Sequence, residues 1–187
     1  MNGQNLLKSV SLFLIITFLF CGCNNVFHKK PVESEIFVMD TYISQKAYGK
    51  KAENALKDVN TFLVDCENKL SLYKENSYIS KINKDAGNKP VEVDTLTFDL
   101  IEKSVKYCEL TNGEFDITIA PLTKLWGITN KNPAVPDIEK IMKAKKLVNY
   151  KNIILDEKEN TVFLKEKNMA IDLGGIAKGY ICKNIKE

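Results

Sequence analysis

A chain of 187 residues that is 44% hydrophobic and 27% charged holds enough apolar material for one ordinary globular domain, and it is neither a disordered nor a fibrous composition. The formal net charge is only +3, every basic residue is lysine, and no basic run carries interleaved aromatics, which argues against a nucleic-acid partner.

At the amino end, Lys8 precedes the apolar run "VSLFLIITFLF", too short to span a bilayer comfortably and proportioned like the core of a signal peptide. The run closes in "LFCGC", where Gly22 before Cys23 resembles a bacterial lipobox. Residues 1–22 are therefore expected to be a lipoprotein signal peptide. Cys23 is then the lipid-modified first residue of the mature protein, with a formal charge of +3 − 1 = +2 once Lys8 is lost. Phe20 and Cys21 are less usual at their positions, which leaves cleavage at a neighbouring bond, or retention as a membrane anchor, as alternatives. Residues 23–34 read as a polar tether. It contains the sole histidine, His28, so no His-dependent triad or His-ligated zinc is expected in the folded part.

From Glu35 the signals alternate. "EIFVMDTYISQKAYG" is rich in β-branched and aromatic residues and ends at Gly49. A helical pattern over about Ala52 to Leu70 follows, with Ala55, Leu56, Val59, Phe62, Leu63 and Cys66 as its buried stripe. "SLYKENSYISKINKDAGNKPVEV" is polar and Asn-rich, and reads as a loop that closes in a turn at Gly87 and a short β run. Asp94 or Thr95 caps a second helix to about Leu110, which "TNG" at 111–113 stops. "EFDITIAPLTKLWGI" offers a short strand, a Pro121 break and a helical turn around Trp126. "VPDIEKIMKAKKLV" is a third helix with Pro136 near its start, and "NIILDEKENTVFLK" a hairpin around Glu157 to Asn160. Cys66, Cys108 and Cys182 form no C-x-x-C pair and are expected to be buried as small hydrophobes. The whole is one α+β domain over residues 35–187.

The segment "MAIDLGGIAKGYICKNIKE" carries an acid, two glycines and a lysine close together. Read physically, "AIDL" is extended, "GG" makes a tight turn and a helix follows. Such a turn can offer backbone amides and a helix dipole to a phosphate, Lys178 as a point charge, and a free carbonyl to a metal. A buried strand and turn with Lys178 in solvent is the alternative. The stretch matches neither G-x-x-x-x-G-K-[ST] nor G-x-G-x-x-G.

Four blocks occur together and in order: "MDT" at 39–41, "LSLYKENSYISKIN" at 70–83, "TNGEFDITIAPLTKLWGI" at 111–128 and "IDLGGIAKGY" at 171–180. Together with the lipoprotein amino end they resemble the ApbE family, the FAD:protein FMN transferases. The resemblance implies an extracytoplasmic, lipid-anchored enzyme. It would split FAD with Mg2+ and pass FMN to a threonine hydroxyl of a membrane redox subunit, typically of an Rnf- or Nqr-type complex. It further implies that Met39 and Tyr73 contact the flavin, that Glu114, Phe115 and Asp116 line its site, that Asp172 and Lys178 hold the nucleotide portion, and that Gly175 offers its carbonyl to Mg2+. Aromatic and thioether walls suit a flat apolar ring, although Met39 and Tyr73 can equally be core, and Asp116 can equally be an Asx-turn residue.

Two departures from the family pattern stand out. Asp40 occupies a position where many members have Gly, which narrows the pocket or reflects a subgroup preference. The family's carboxyl-terminal half, with a flavin-site His and the Asp and Thr that complete the metal site, has no counterpart in these 187 residues. The expectation is thus a truncated domain, doubtful as an enzyme by itself. The alternative function is a catalytically inactive lipoprotein that binds flavin or docks on a partner.

Overall fold

The computed structural model describes residues 30–127 and 133–186 of the chain; the expected signal peptide, Cys23 and His28 lie outside the described residues. The first β-rich stretch folds as a hairpin rather than one strand: β1 (Val32–Val38) pairs antiparallel with β2 (Thr41–Ala47), with Val38 opposite Thr41. Met39 and Asp40 form the two-residue turn, both at φ 53°, the left-handed pair whose twist suits a tight hairpin. β1 starts at Val32, three residues before the expected Glu35. On the outer face Glu33 pairs with Lys46 at 2.7 Å, and the Phe37 and Tyr42 rings lie 4.9 Å apart.

Helix α1 (Ala52–Leu70) lies against this hairpin. Its buried residues Ala52, Leu56, Leu63, Cys66 and Leu70 keep helical spacing, whereas Ala55, expected in the stripe, is exposed. Polar residues also cross the interface: Gln45 Nε2 donates to Asn60 Oδ1 (2.6 Å), and Asn60 Nδ2 donates to Ser34 Oγ (2.8 Å). This chain satisfies side chains that the strand period turns inward.

The polar stretch expected as a loop contains a helix, α2 (Tyr78–Lys84). Ser77 caps it by accepting from the Ser80 N–H at 2.9 Å, and Ile79 and Ile82 are fully buried beneath it. Two apolar residues three apart are too few to show as periodicity. The turn after it requires glycine at residue 87: φ is +73°, and a Cβ there would sit 2.6 Å from the Lys167 backbone nitrogen.

β3 (Val91–Glu92), β4 (Ile153–Asp156) and β5 (Thr161–Leu164) form an antiparallel sheet in the order β3-β5-β4, with the expected hairpin joining β4 to β5. α3 (Thr95–Leu110) is capped by Asp94, which accepts from the Thr97 N–H at 3.0 Å, and ends where Asn112 and Gly113 turn left-handed. The strand expected in "EFDIT" is absent. Ile117–Ile119 is a 3-10 turn leading into α4 (Ala120–Trp126), and Pro121 lies in the first turn of that helix instead of breaking the chain. α5 (Ile138–Lys145) has no buried residue. The last helix is α6 (Ala177–Lys186). One core joins both sheets with α1, α2, α3 and α6, built from Leu63, Ile79, Leu100, Ile101, Ile117, Leu164, Ile171 and Ile181 among others. Cys66 and Cys108 are buried as expected, but Cys182 is exposed because it lies on the outward face of α6. Among the described residues no helix is long and apolar enough to cross a membrane.

Candidate functional site

The four sequence blocks are tied together by hydrogen bonds to the backbone and, between the first and second, by an ion pair through Glu67. The first tie is at the hairpin tip. Met39 is half-buried against the core, and its N–H donates to Glu67 Oε1 (3.0 Å) in the last turn of α1. Glu67 Oε2 receives Lys74 Nζ at 2.5 Å, and Lys74 directly follows Tyr73. The Lys74 ammonium beside Glu67 holds its carboxyl below the usual range, against a smaller upward push from burial, and the Met39 N–H adds to the lowering. Tyr73 itself is 53% exposed, so the expected flavin-contact residue stands on the surface.

The third block is arranged around Asp116. Its Oδ1 accepts from the Thr118 N–H (2.8 Å) and hydroxyl (2.6 Å), and its Oδ2 accepts from the Tyr150 N–H (3.0 Å). Thr118 Oγ1 in turn accepts from the Asn149 N–H at 2.8 Å. Asp116 therefore acts as a cap that fastens the 150 region to the 3-10 turn, the bland alternative among the expectations for it. The Phe115 N–H donates to Thr111 Oγ1 at 3.1 Å, which fixes the backbone of the expected flavin-lining residue. Glu114 is exposed, and its N–H donates to the Thr111 carbonyl.

The fourth block runs extended from Ala170 to Leu173 without joining a sheet. Asn83, the last residue of the second block, takes the place of a neighbouring strand. Its Nδ2 donates to the Ile171 carbonyl (3.0 Å) and its Oδ1 accepts from the Ile171 N–H (2.7 Å). The Asp172 N–H donates to the Ile117 carbonyl at 2.8 Å, so blocks three and four are fastened as well. Asp172 Oδ1 accepts from the Gly174 N–H (2.8 Å), turning the chain into α6. Neither Gly174 nor Gly175 needs a positive φ. Gly175 lies in close approach, since a Cβ there would meet Phe115 Cε2 at 3.2 Å and the ring would have to give by a few tenths of an ångström.

Beside that contact a cavity of about 450 Å³ opens between α3 and α6. Phe115 and Gly175 line it, together with Lys103, Tyr107, Ile176 and Tyr180 among others. Its walls are aromatic and aliphatic with lysines at the rim, and its size suits a planar aromatic ligand. Met39, Tyr73, Asp172 and Lys178 do not line it. Lys178 is exposed on the first turn of α6. Of the expected site residues Met39 thus lies at the hairpin tip with Tyr73 in the loop tied to it through Glu67 and Lys74, Phe115 and Gly175 line the cavity, and Glu114, Asp116, Asp172 and Lys178 do neither; α6 packs on α1. Glu67, Lys74, Asn83, Thr111 and Thr118 were not singled out from the sequence. Only Asn83, Lys74, Thr111 and Thr118 lie inside the quoted blocks, and nothing in the pattern around Glu67 marks it. Among the described residues no group of three or more His, Cys, Asp or Glu stands together to hold a metal.

A sequence profile of the ApbE family matches residues 39–187. The FAD:protein FMN transferase of Klebsiella pneumoniae strain 342 is 36% identical over 121 residues, which is 65% of this chain and 38% of that protein. The FAD:protein FMN transferase of Treponema pallidum strain Nichols is 27% identical over 183 residues, covering 91% of this chain and 51% of that one. The crystal structure of the ApbE protein from Thermotoga maritima superimposes with a TM-score of 0.79 at 34% identity, over 84% of this chain and 52% of that chain. The flavin transferase ApbE of Vibrio cholerae shares the fold, with a TM-score of 0.74 at 22% identity. The chain spans about half the length of the curated relatives it matches. With the profile running from the hairpin tip through α6, the chain belongs to the ApbE family.

Proposed function

We propose that the protein takes part in flavinylation as an FAD:protein FMN transferase, with FAD as substrate and a threonine hydroxyl of a membrane redox subunit as acceptor. The observation that carries this reading is the fastening of all four blocks into one framework by Glu67, Asn83 and the Ile117 carbonyl. In the proposed reaction the threonine oxygen forms a bond to the FMN phosphorus, the pyrophosphate bond to the adenylate breaks, AMP leaves and the hydroxyl proton is released. An Rnf- or Nqr-type subunit as acceptor, and a lipid on Cys23 that keeps the domain at the outer face of the cytoplasmic membrane, belong to the same proposal.

Mg2+ would neutralise the pyrophosphate. Gly175 brings one carbonyl to it, and the described residues supply no acidic cluster beside that carbonyl. This donor set falls short of the octahedral oxygen shell the ion demands. Flavin binding is supported by the cavity that Phe115 and Gly175 line, with Lys103 and Lys183 among its lining as groups that suit a phosphate. The short metal set favours a second reading for these 187 residues alone, a flavin-binding domain without transfer. Titration of the chain with FMN and FAD, followed by flavin fluorescence, tests the shared part. Saturable quenching that Phe115→Ala weakens is expected, and no quenching by either flavin overturns the proposal.

A further inference from the structure

α5 is amphipathic, yet none of its eight residues is buried. α4 packs beside it, and within the helix only Ile141 and Ala144 are half-covered. Ile138 and Met142, 69% and 52% exposed, stand on one face at i and i+4, and Val135 just before the helix is 81% exposed. Lys145 lies three residues beyond Met142 and Lys146 four, so both ammonium groups border that same apolar face. Charge gathers here as well. Residues 137–151 hold five lysines against Asp137 and Glu139, a net charge of +3 that equals that of the whole chain. Lys140 pairs with Asp137 at 3.0 Å, and among the described residues no salt bridge engages Lys143, Lys145 or Lys146. A lysine-rich face needs no partner in water, and neither does a scattered exposed apolar residue. Together on one helical face they complement a surface that is apolar just beneath a layer of negative charge.

We propose that the outer face of α5 docks on the surface of an anionic lipid bilayer. Ile138 and Met142, with Val135, enter the boundary between headgroups and acyl chains, and Lys145 and Lys146 meet lipid phosphates. A stable protein interface takes about 800 Å² from each partner, more than the outer face of two helical turns presents. A bilayer sets no such threshold, because fluid lipid packs around single side chains, and lysine stems run along apolar surface while their ammonium groups stay at headgroup level. With eight residues α5 lies on the bilayer and cannot cross it. The inference depends neither on the flavin reading nor on a lipid at Cys23.

The test places the full chain on vesicles of phosphatidylcholine alone and of phosphatidylcholine with an equal part of phosphatidylglycerol, and reads backbone exchange by mass spectrometry over residues 133–146. The apolar run at residues 10–20 partitions into either bilayer, so a difference in this segment reports on α5. Slower exchange on the anionic vesicles than on the neutral ones is expected. Lys145→Gln with Lys146→Gln should reduce that protection about fivefold per lysine, and Ile138→Ser with Met142→Ser should remove most of it. All four side chains are exposed, so both double variants should melt with the wild type. If the Ile138 and Met142 pair unfolds the domain, the lysine pair decides alone. Equal exchange on the two kinds of vesicle, or wild-type protection in the lysine pair, overturns the proposal. Protection that appears in neutral detergent without vesicles and grows with protein concentration assigns the face to a second copy of the chain, and overturns it too.

Discussion

Asp40 shows how much a single backbone angle settles. It departs from the Gly of many family members, but at φ 53° and in an exposed position it is the second residue of the hairpin turn, a place that Gly and Asp both fill with tolerable strain. Asp40→Gly is therefore expected to leave flavin affinity within about twofold and to change stability by less than about 1 kcal/mol, as measured by FMN titration and thermal melting. A large gain in affinity would show that the Asp40 side chain does narrow a pocket. The cysteines offer a second test at this scale. Burial pushes the Cys66 thiol up to about 11 and raises Cys108 as well, while Cys182 is exposed. In the native protein near pH 8, an aromatic disulfide reagent should modify Cys182 rapidly and Cys66 and Cys108 only in denaturant. Mass mapping of the labelled peptides checks this, and early labelling at Cys66 would contradict the packing of α1.

Elements with long periodic signals were legible in the sequence, and those held by side chain to backbone bonds were not. α1 spans the expected Ala52–Leu70, and α3 starts at the expected cap and stops at "TNG". α2 was missed because its fully buried residues are only Ile79 and Ile82, whereas the extended "AIDL" segment was expected and only its fastening to Asn83, 88 residues away, was not legible. The β-branched run Ile117–Ile119 looked like a strand, yet the Asp116 cap winds it into a 3-10 turn, a tertiary choice over local propensity. The joint between α1 and α3 gives a prediction about acid. Asp94 caps α3 and pairs with Lys69 of α1 at 2.9 Å. Burial pushes its carboxyl up, and the bonds from Thr97 and Lys69 outweigh that and leave it lowered. A carboxyl lowered on folding adds stability above its unfolded pKa, and that contribution is lost as pH falls through the folded value. Melting temperature should then fall as pH drops below the usual carboxylate range of about 4, and Asp94→Asn, which keeps a cap but not the charge, should lose less between pH 5 and pH 3. An identical acid limb in the variant would remove Asp94 from the account.

At the scale of the whole molecule, the described residues build a binding framework more completely than a reaction centre. β5 is the middle strand of its sheet, β3 and β4 are the edges, and Ile154 on β4 is 42% exposed. Leu110, Val135 and Ile138 are also largely exposed. In the proposed reaction the ion, the pyrophosphate and the incoming hydroxyl have to be held in line, and the one metal donor proposed from these residues, the Gly175 carbonyl, would not organise the first of these. Residues 24–187 incubated with FAD, Mg2+ and a threonine-bearing acceptor are therefore expected to yield no covalently fluorescent acceptor in a denaturing gel. A fusion of this segment to the remaining half of the Thermotoga maritima relative should yield a Mg2+-dependent band, because the framework fastened by Glu67 and Asn83 would then face a full set of metal ligands. Lys178→Ala in that fusion should weaken apparent FAD affinity by roughly 1.5–3 kcal/mol if the exposed lysine meets a phosphate. A Mg2+-dependent band from residues 24–187 alone would mean that the metal is held by groups other than those proposed, and an unchanged fusion would return Lys178 to solvent.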